Sequence, residues 1–143
     1  MHALPQWCRL GSIAGLCVFA AAPASAETAA VSDTGFTITV QREISLPPAR
    51  VFQTLAHVDR WWNPEHTWSG KAANLSLRLE AGACFCERWA GGTVEHGRVI
   101  AAMHDRLLRL QAPLGPLQSM PVSAVLSFET REQQGHTMLR VTY

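Results

Sequence analysis

One change of hydrophobic period limits what this chain can fold into. "FTITVQREI" (36–44) alternates, with Phe36, Ile38, Val40 and Ile44 on one side and Thr37, Thr39, Gln41 and Glu43 on the other, the period of a half-buried strand. "SLPPARVFQTLAHVDRWW" (45–62) breaks that period. Its paired prolines can open a helix but cannot continue one, and Val51, Phe52 and Leu55 then form a single apolar stripe. The spacing predicts a short helix over 49–56 and a helical turn over 58–62, ended by Asn63-Pro64.

From there on only strand and turn signals remain. Leu75, Leu77 and Leu79 alternate with polar neighbours, and "ACFCERW" meets "TVEHGRVIAAM" across Ala90-Gly91-Gly92. "RLLRLQ" follows a turn at His104-Asp105. A loop rich in proline and glycine, "APLGPLQSMP", leads to "VSAVLSFET", and "REQQGH" turns the chain into "TMLRVTY". The class is α+β: a curved antiparallel sheet of about seven strands, with two short helices after the first. Such a sheet has an apolar concave face that two short helices cannot cover. A further helix, a partner or a ligand is expected to cover it.

Residues 1–26 read as a signal peptide. Arg9 precedes the apolar run "GSIAGLCVFAAA", and Ala24-Ser25-Ala26 matches the small-x-small cleavage pattern. The run is too short to make a comfortable membrane span, so none is expected after cleavage. Export to a periplasm, or secretion, with cleavage after Ala26 is the expected localisation. Of the 143 residues, 117 remain, a size that fits one domain behind a loose lead-in at 27–35. Arg9 leaves with the leader, so 11 basic residues face 11 acidic ones. That neutrality, with no basic run, speaks against nucleic acid as a partner.

Two of the four cysteines also leave with the leader, and Cys84 and Cys86 remain. They share one face of a strand. In a regular strand their Cα atoms would be about 6.6 Å apart, near the upper limit for a disulfide. Inert thiols, a strained C-x-C disulfide and a metal or redox pair are all open. For a metal, Cys84, Cys86 and His96 are weak candidates, and no cofactor is expected. The hairpin register bears on this. A three-residue loop over 90–92 sets Cys86 opposite His96 and Cys84 opposite Arg98, whereas a Gly91-Gly92 turn sets Glu87 opposite His96.

"RWWNPEHTWSG" is the other dense region. Trp61, Trp62 and Trp68, with Phe52, can wall a cavity for an apolar guest, and Phe85 is counted with them. Glu65 and His66 adjoin that wall, and His96 or Arg98 can orient a ligand's polar end. Glu87, Arg88 and Arg98 lie mid-strand, where a charge usually means the solvent face. No phosphate loop, nucleophile elbow or H-E-x-x-H motif occurs.

The order of strand, "LPPARVFQTLAHVDRWW", and then a meander with "GRVIAAMHDRLLRL" and "VLSFETREQQGHTMLRVTY" resembles the START-like, helix-grip (SRPBCC) superfamily. The similarity is to the branch with polyketide cyclase-like proteins and homologues of the heat-shock-protein-90 ATPase activator. It covers nearly all of residues 36–143. The resemblance implies a seven-stranded sheet gripping a long C-terminal helix, with an apolar cavity between them. That helix would begin beyond Tyr143, so the domain is expected to be C-terminally incomplete. The chaperone activity is not carried over, since an exported bacterial protein meets neither that chaperone nor ATP. The expected function is binding of a hydrophobic, amphipathic or lipid-like small molecule by Phe52, Trp61, Trp62, His66, Trp68, Phe85, His96 and Arg98. The alternatives are a cyclase- or hydrolase-like enzyme using His66, Glu87 or His96, and a thiol or metal protein centred on Cys84 and Cys86.

Overall fold

The computed structural model describes residues 25–143, with side chains from residue 30. The expected leader therefore lies almost wholly outside the described residues. Eight antiparallel strands form one open sheet in the order β1-β2-β8-β7-β6-β5-β4-β3. They are β1 (Ser25–Ser32), β2 (Gly35–Ile44), β3 (Leu75–Ser76), β4 (Cys84–Trp89), β5 (Gly92–Met103), β6 (Leu107–Gln111), β7 (Val125–Gln133) and β8 (His136–Thr142). Seven were expected. The eighth is β1, whose backbone pairs with β2 from Ser25↔Gln41 to Ser32↔Gly35, so most of the stretch read as a loose lead-in is strand. Its small residues carry little apolar signal, and the free edge of β2 supplies the hydrogen bonds that order it.

Between β2 and β3 lie α1 (Pro48–Ala56) and α2 (Val58–Trp61), where the change of period placed them. Pro48 occupies the first turn of α1, where its missing N–H costs nothing. Val51, Phe52 and Leu55 of α1 and Val58 of α2 are buried. Phe52, Leu55 and Val58 join Phe85, Val99, Leu108, Leu110, Leu126 and Phe128 in one core on the inner face of the sheet. At the β2 end that face is thinly covered, and Phe36 and Ile38 are 46% and 39% exposed.

The β4–β5 hairpin takes neither register considered above. Trp89 pairs with Gly92 across a two-residue Ala90-Gly91 turn, which sets Glu87 opposite Val94 and Cys86 opposite Glu95. The register then slips, and Phe85 pairs with Gly97 and Cys84 with Arg98. His96 is the extra residue of a β-bulge. It lies directly across from neither Cys86 nor Glu87.

Candidate functional site

Glu87 is the most informative side chain in the molecule. The mid-strand charge expected at the solvent face is instead 0% exposed. Alternation along β4 explains this: Glu87 lies two residues from the core ring of Phe85 and so shares its inward face. A buried carboxylate must be satisfied, and this one is. Its Oε1 accepts the Ser69 backbone N–H at 2.6 Å and its Oε2 the Trp68 backbone N–H at 3.0 Å. His96 Nε2 lies 2.9 Å from Oε2. Burial by itself pushes the Glu87 carboxyl up. The Ser69 hydroxyl, the two backbone N–H groups and His96 outweigh it and hold the group at about 2, below its ordinary 4.5.

This has a consequence for His96, which is 4% exposed. An ionised carboxylate only accepts, so His96 Nε2 carries the shared proton, and in the neutral ring Nδ1 is then an acceptor. Among the described residues nothing engages Nδ1, and His96 lines a cavity of about 550 Å³. Trp62, Glu65, His66, Thr67, Trp68, Leu114 and Gly115 complete the lining.

Local structure explains why these residues converge. Asn63 accepts the Glu65 N–H at 3.0 Å and caps a single 3-10 turn, Pro64–His66, that presents Glu65 and His66. Trp62 donates its indole N–H to the His66 carbonyl at 3.2 Å, and its ring meets Phe85 edge-on at 5.1 Å. Phe85 lies 5.1 Å from the His96 ring, so Trp62, Phe85 and His96 make one continuous aromatic wall. On the far side Trp68, 66% exposed, donates to Gln118 at 3.2 Å. Gln118 in turn donates to the Glu95 carbonyl at 2.8 Å. Two loops thus flank the open cavity and are tied to β4 and β5.

Of the residues named from sequence, Trp62, Glu65, His66, Trp68 and His96 line this cavity. Phe52 and Phe85 lie in the core beneath it. Trp61 packs against Phe128 and Trp62, outside the lining, and Arg98 lies on the opposite face of β5 beside Glu95. Leu114 and Gln118, from the proline-glycine loop, were not anticipated; nothing local to that loop marks it as folding back. A larger groove of about 860 Å³ runs between the start of α1 and β7. It is edged by outward charges such as Glu129, Arg131 and Arg140 and holds no comparable buried dyad.

Cys84 and Cys86 are joined as a disulfide, with Cα atoms 5.3 Å apart. That is shorter than two regular strand rises, so the strand is puckered there. The pair lies on the face of β4 opposite Phe85 and Glu87, outside the aromatic core, and His96 is not its neighbour. Among the described residues no helix is long and apolar enough to cross a membrane.

No protein-family model matches the chain, and no curated protein does. Solved structures do. Protein MLL2253 from Mesorhizobium loti is 21% identical, with a TM-score of 0.53 over 74% of each chain. Protein CV1439 from Chromobacterium violaceum is 17% identical, with a TM-score of 0.54 over 74% of this chain and 76% of that one. EF2215 from Enterococcus faecalis, a conserved protein of unknown function, is 12% identical, with a TM-score of 0.56 over 83% of this chain and 59% of its own. The likeness is one of fold: an open antiparallel sheet with few, short helices.

Proposed function

We propose that this chain is an exported helix-grip protein that holds a small amphipathic molecule in the cavity between Trp62, Trp68 and His96. The observation that carries the reading is the buried Glu87–His96 pair. Glu87 engages Nε2, which leaves Nδ1 as the ring nitrogen His96 can offer to a pocket lined by Trp62, Trp68 and Leu114 together with Glu65, His66 and Thr67. The ligand then has an apolar body, stacked on Trp62 and Trp68, and one donor, a hydroxyl or amine, directed at His96 Nδ1. Glu65 and His66 at the mouth meet whatever polar end reaches solvent.

A naphthol, compared with the methylnaphthalene of the same size, tests this by quenching of tryptophan fluorescence. One added hydrogen bond is worth about 1 kcal/mol, so the naphthol should bind about fivefold more tightly. His96→Phe should remove that preference while leaving affinity for the hydrocarbon. Equal binding of the two probes by the unaltered protein overturns the assignment of His96. Absence of saturable binding by either overturns the cavity. Export belongs to the same reading and rests on the leader; an intact mass beginning at Glu27 in a periplasmic extract supports it, and the full-length mass there refutes it.

The same dyad favours a second reading, in which His96 acts as a general base on a ligand that carries an acidic proton. Solvent deuterium incorporation into bound ligand, lost in His96→Phe, separates turnover from simple binding.

A further inference from the structure

The outer face of the β4–β5 hairpin carries a second cluster, independent of the cavity. Cys86 pairs with Glu95 across the strands, and Cys84 pairs with Arg98. The sulfurs of Cys84 and Cys86 and a carboxylate oxygen of Glu95 all lie within 4.8 Å of one another, and Cys84 Sγ is 3.7 Å from Glu95 Oε2. Arg98 is ion-paired to that same carboxylate and donates to the Gly82 carbonyl at 2.9 Å. We propose that reduction of the Cys84–Cys86 disulfide opens a binding site for a thiophilic divalent cation, zinc or cadmium, held by the two thiolates and the Glu95 carboxylate.

Two features favour such a site over a permanent structural bond. The disulfide holds its Cα atoms at 5.3 Å, so strand β4 regains its regular rise when the bond opens. Cys84 and Glu95 are also partly exposed, so both a reductant and a metal ion can reach them. Cys86 is buried, so the reductant reaches the bond through the partly exposed Cys84 sulfur. A low-molecular-weight dithiol is the reductant. Its thiolate attacks one sulfur to form a mixed disulfide, and its second thiolate displaces the protein sulfur. Two electrons pass to the protein pair, and the reductant leaves as its own disulfide. On metal binding each protein thiol releases one proton, while Glu95 contributes a carboxylate oxygen without proton loss. Two sulfurs and one oxygen leave a fourth, tetrahedral position open to water. The Arg98 guanidinium is ion-paired to Glu95 Oε2, the oxygen nearest Cys84 Sγ, and holds the carboxylate on this face of the hairpin. His96 and Glu87 point to the inner face and take no part, which separates this site from the ligand cavity.

The test is a cadmium titration of the whole protein, with and without prior reduction, followed by the ultraviolet thiolate-to-cadmium charge-transfer band. Reduced protein should bind one equivalent with a saturating band, and the disulfide form should show none. Cys84→Ser and Cys86→Ser should each lose the tight band. Glu95→Gln should weaken binding about tenfold or more while leaving the same thiol count. Bound cadmium should also shield both thiols from an aromatic disulfide reagent. A missing band in reduced protein, or equal affinity in Cys84→Ser, overturns the site. Unchanged affinity in Glu95→Gln overturns the three-ligand assignment. A melting curve for each variant shows that its fold is retained.

Discussion

Replacing Glu87 by glutamine removes the charge and keeps the shape. In the native protein one carboxylate accepts two loop N–H groups and faces His96 Nε2 at 2.9 Å. An amide has a single accepting oxygen. If that oxygen takes the place of Oε2, its NH₂ group faces the Ser69 N–H, donor against donor. The magnitude follows from the carboxyl, held at about 2 against an ordinary 4.5. At about 1.4 kcal/mol for each tenfold change, the ionised form is favoured in the fold by about 3 kcal/mol. The sign follows from the depressed value. The unfolded chain binds the proton more readily, so this stability is fully present above pH 4.5 and is lost as the pH falls through about 2. Glu87→Gln mimics the protonated state. It should therefore unfold about 3 kcal/mol more easily at neutral pH, with the deficit closing as the pH falls from 4.5 toward 2. Urea unfolding of both proteins across that range measures it. Parallel pH profiles, with a constant gap or none, would refute the claim that Glu87 is ionised in its buried site.

Other outcomes test the frame around the site. A β-carbon added at Gly97 would lie 2.6 Å from the Ala112 β-carbon and 2.8 Å from the Gln111 carbonyl oxygen, so Gly97→Ala should cost about 1–3 kcal/mol in urea unfolding. Adding Ala112→Gly should recover part of that loss only if the contact between side chains, rather than the carbonyl, dominates. Gly135 has φ +83° in the β7–β8 turn, and Gly135→Ala should cost about 1 kcal/mol, read as a lowered melting temperature. Gln118→Ala removes the tie from Trp68 to the Glu95 carbonyl; it should change global stability by no more than about 1 kcal/mol while speeding amide exchange at Trp68 and Ser69. Unchanged exchange would show that Glu87 alone holds that loop.

How far the sequence reaches can be seen along β4. Binary periodicity is enough to place β2, α1, α2 and the later strands, because each carries a clear apolar period, although in β2 Phe36 and Ile38 of that period stay exposed. It failed for β1, whose small residues carry no apolar stripe and whose order comes from the edge of β2. The tryptophan-histidine segment is legible as a candidate wall, and Trp62, Glu65, His66, Thr67 and Trp68 of it do meet at one cavity. The burial of Glu87 was present in the pattern, since it sits two residues from Phe85, but the general rule that charges face water concealed it. What no local pattern could show was the bulge. Its position depends on how two strands settle against Ala112 and the core, a long-range fit that neither strand encodes alone.

That bulge makes the two faces of the hairpin chemically distinct. From the turn, Glu87 faces inward opposite Val94, and Cys86 faces outward opposite Glu95. Strict alternation would next turn His96 inward, Gly97 outward and Arg98 inward, driving a guanidinium into the aromatic core. The extra residue lets both His96 and Gly97 lie on the inner side before alternation resumes with Arg98 outward and Val99 buried. Two successive residues can share the crowded inner side only if one has no side chain, which is why position 97 is glycine against Ala112. The same slip therefore presents His96 to Glu87 on one face and leaves Arg98 beside Glu95 and the cysteines on the other. A Gly97 substitution that forces β5 to straighten should disturb both clusters together. Loss of the naphthol preference and of reduced-state cadmium binding in one variant is the signature of that coupling. If Gly97→Ala lost one property and kept the other at native strength, the two sites would be shown to rest on separate supports.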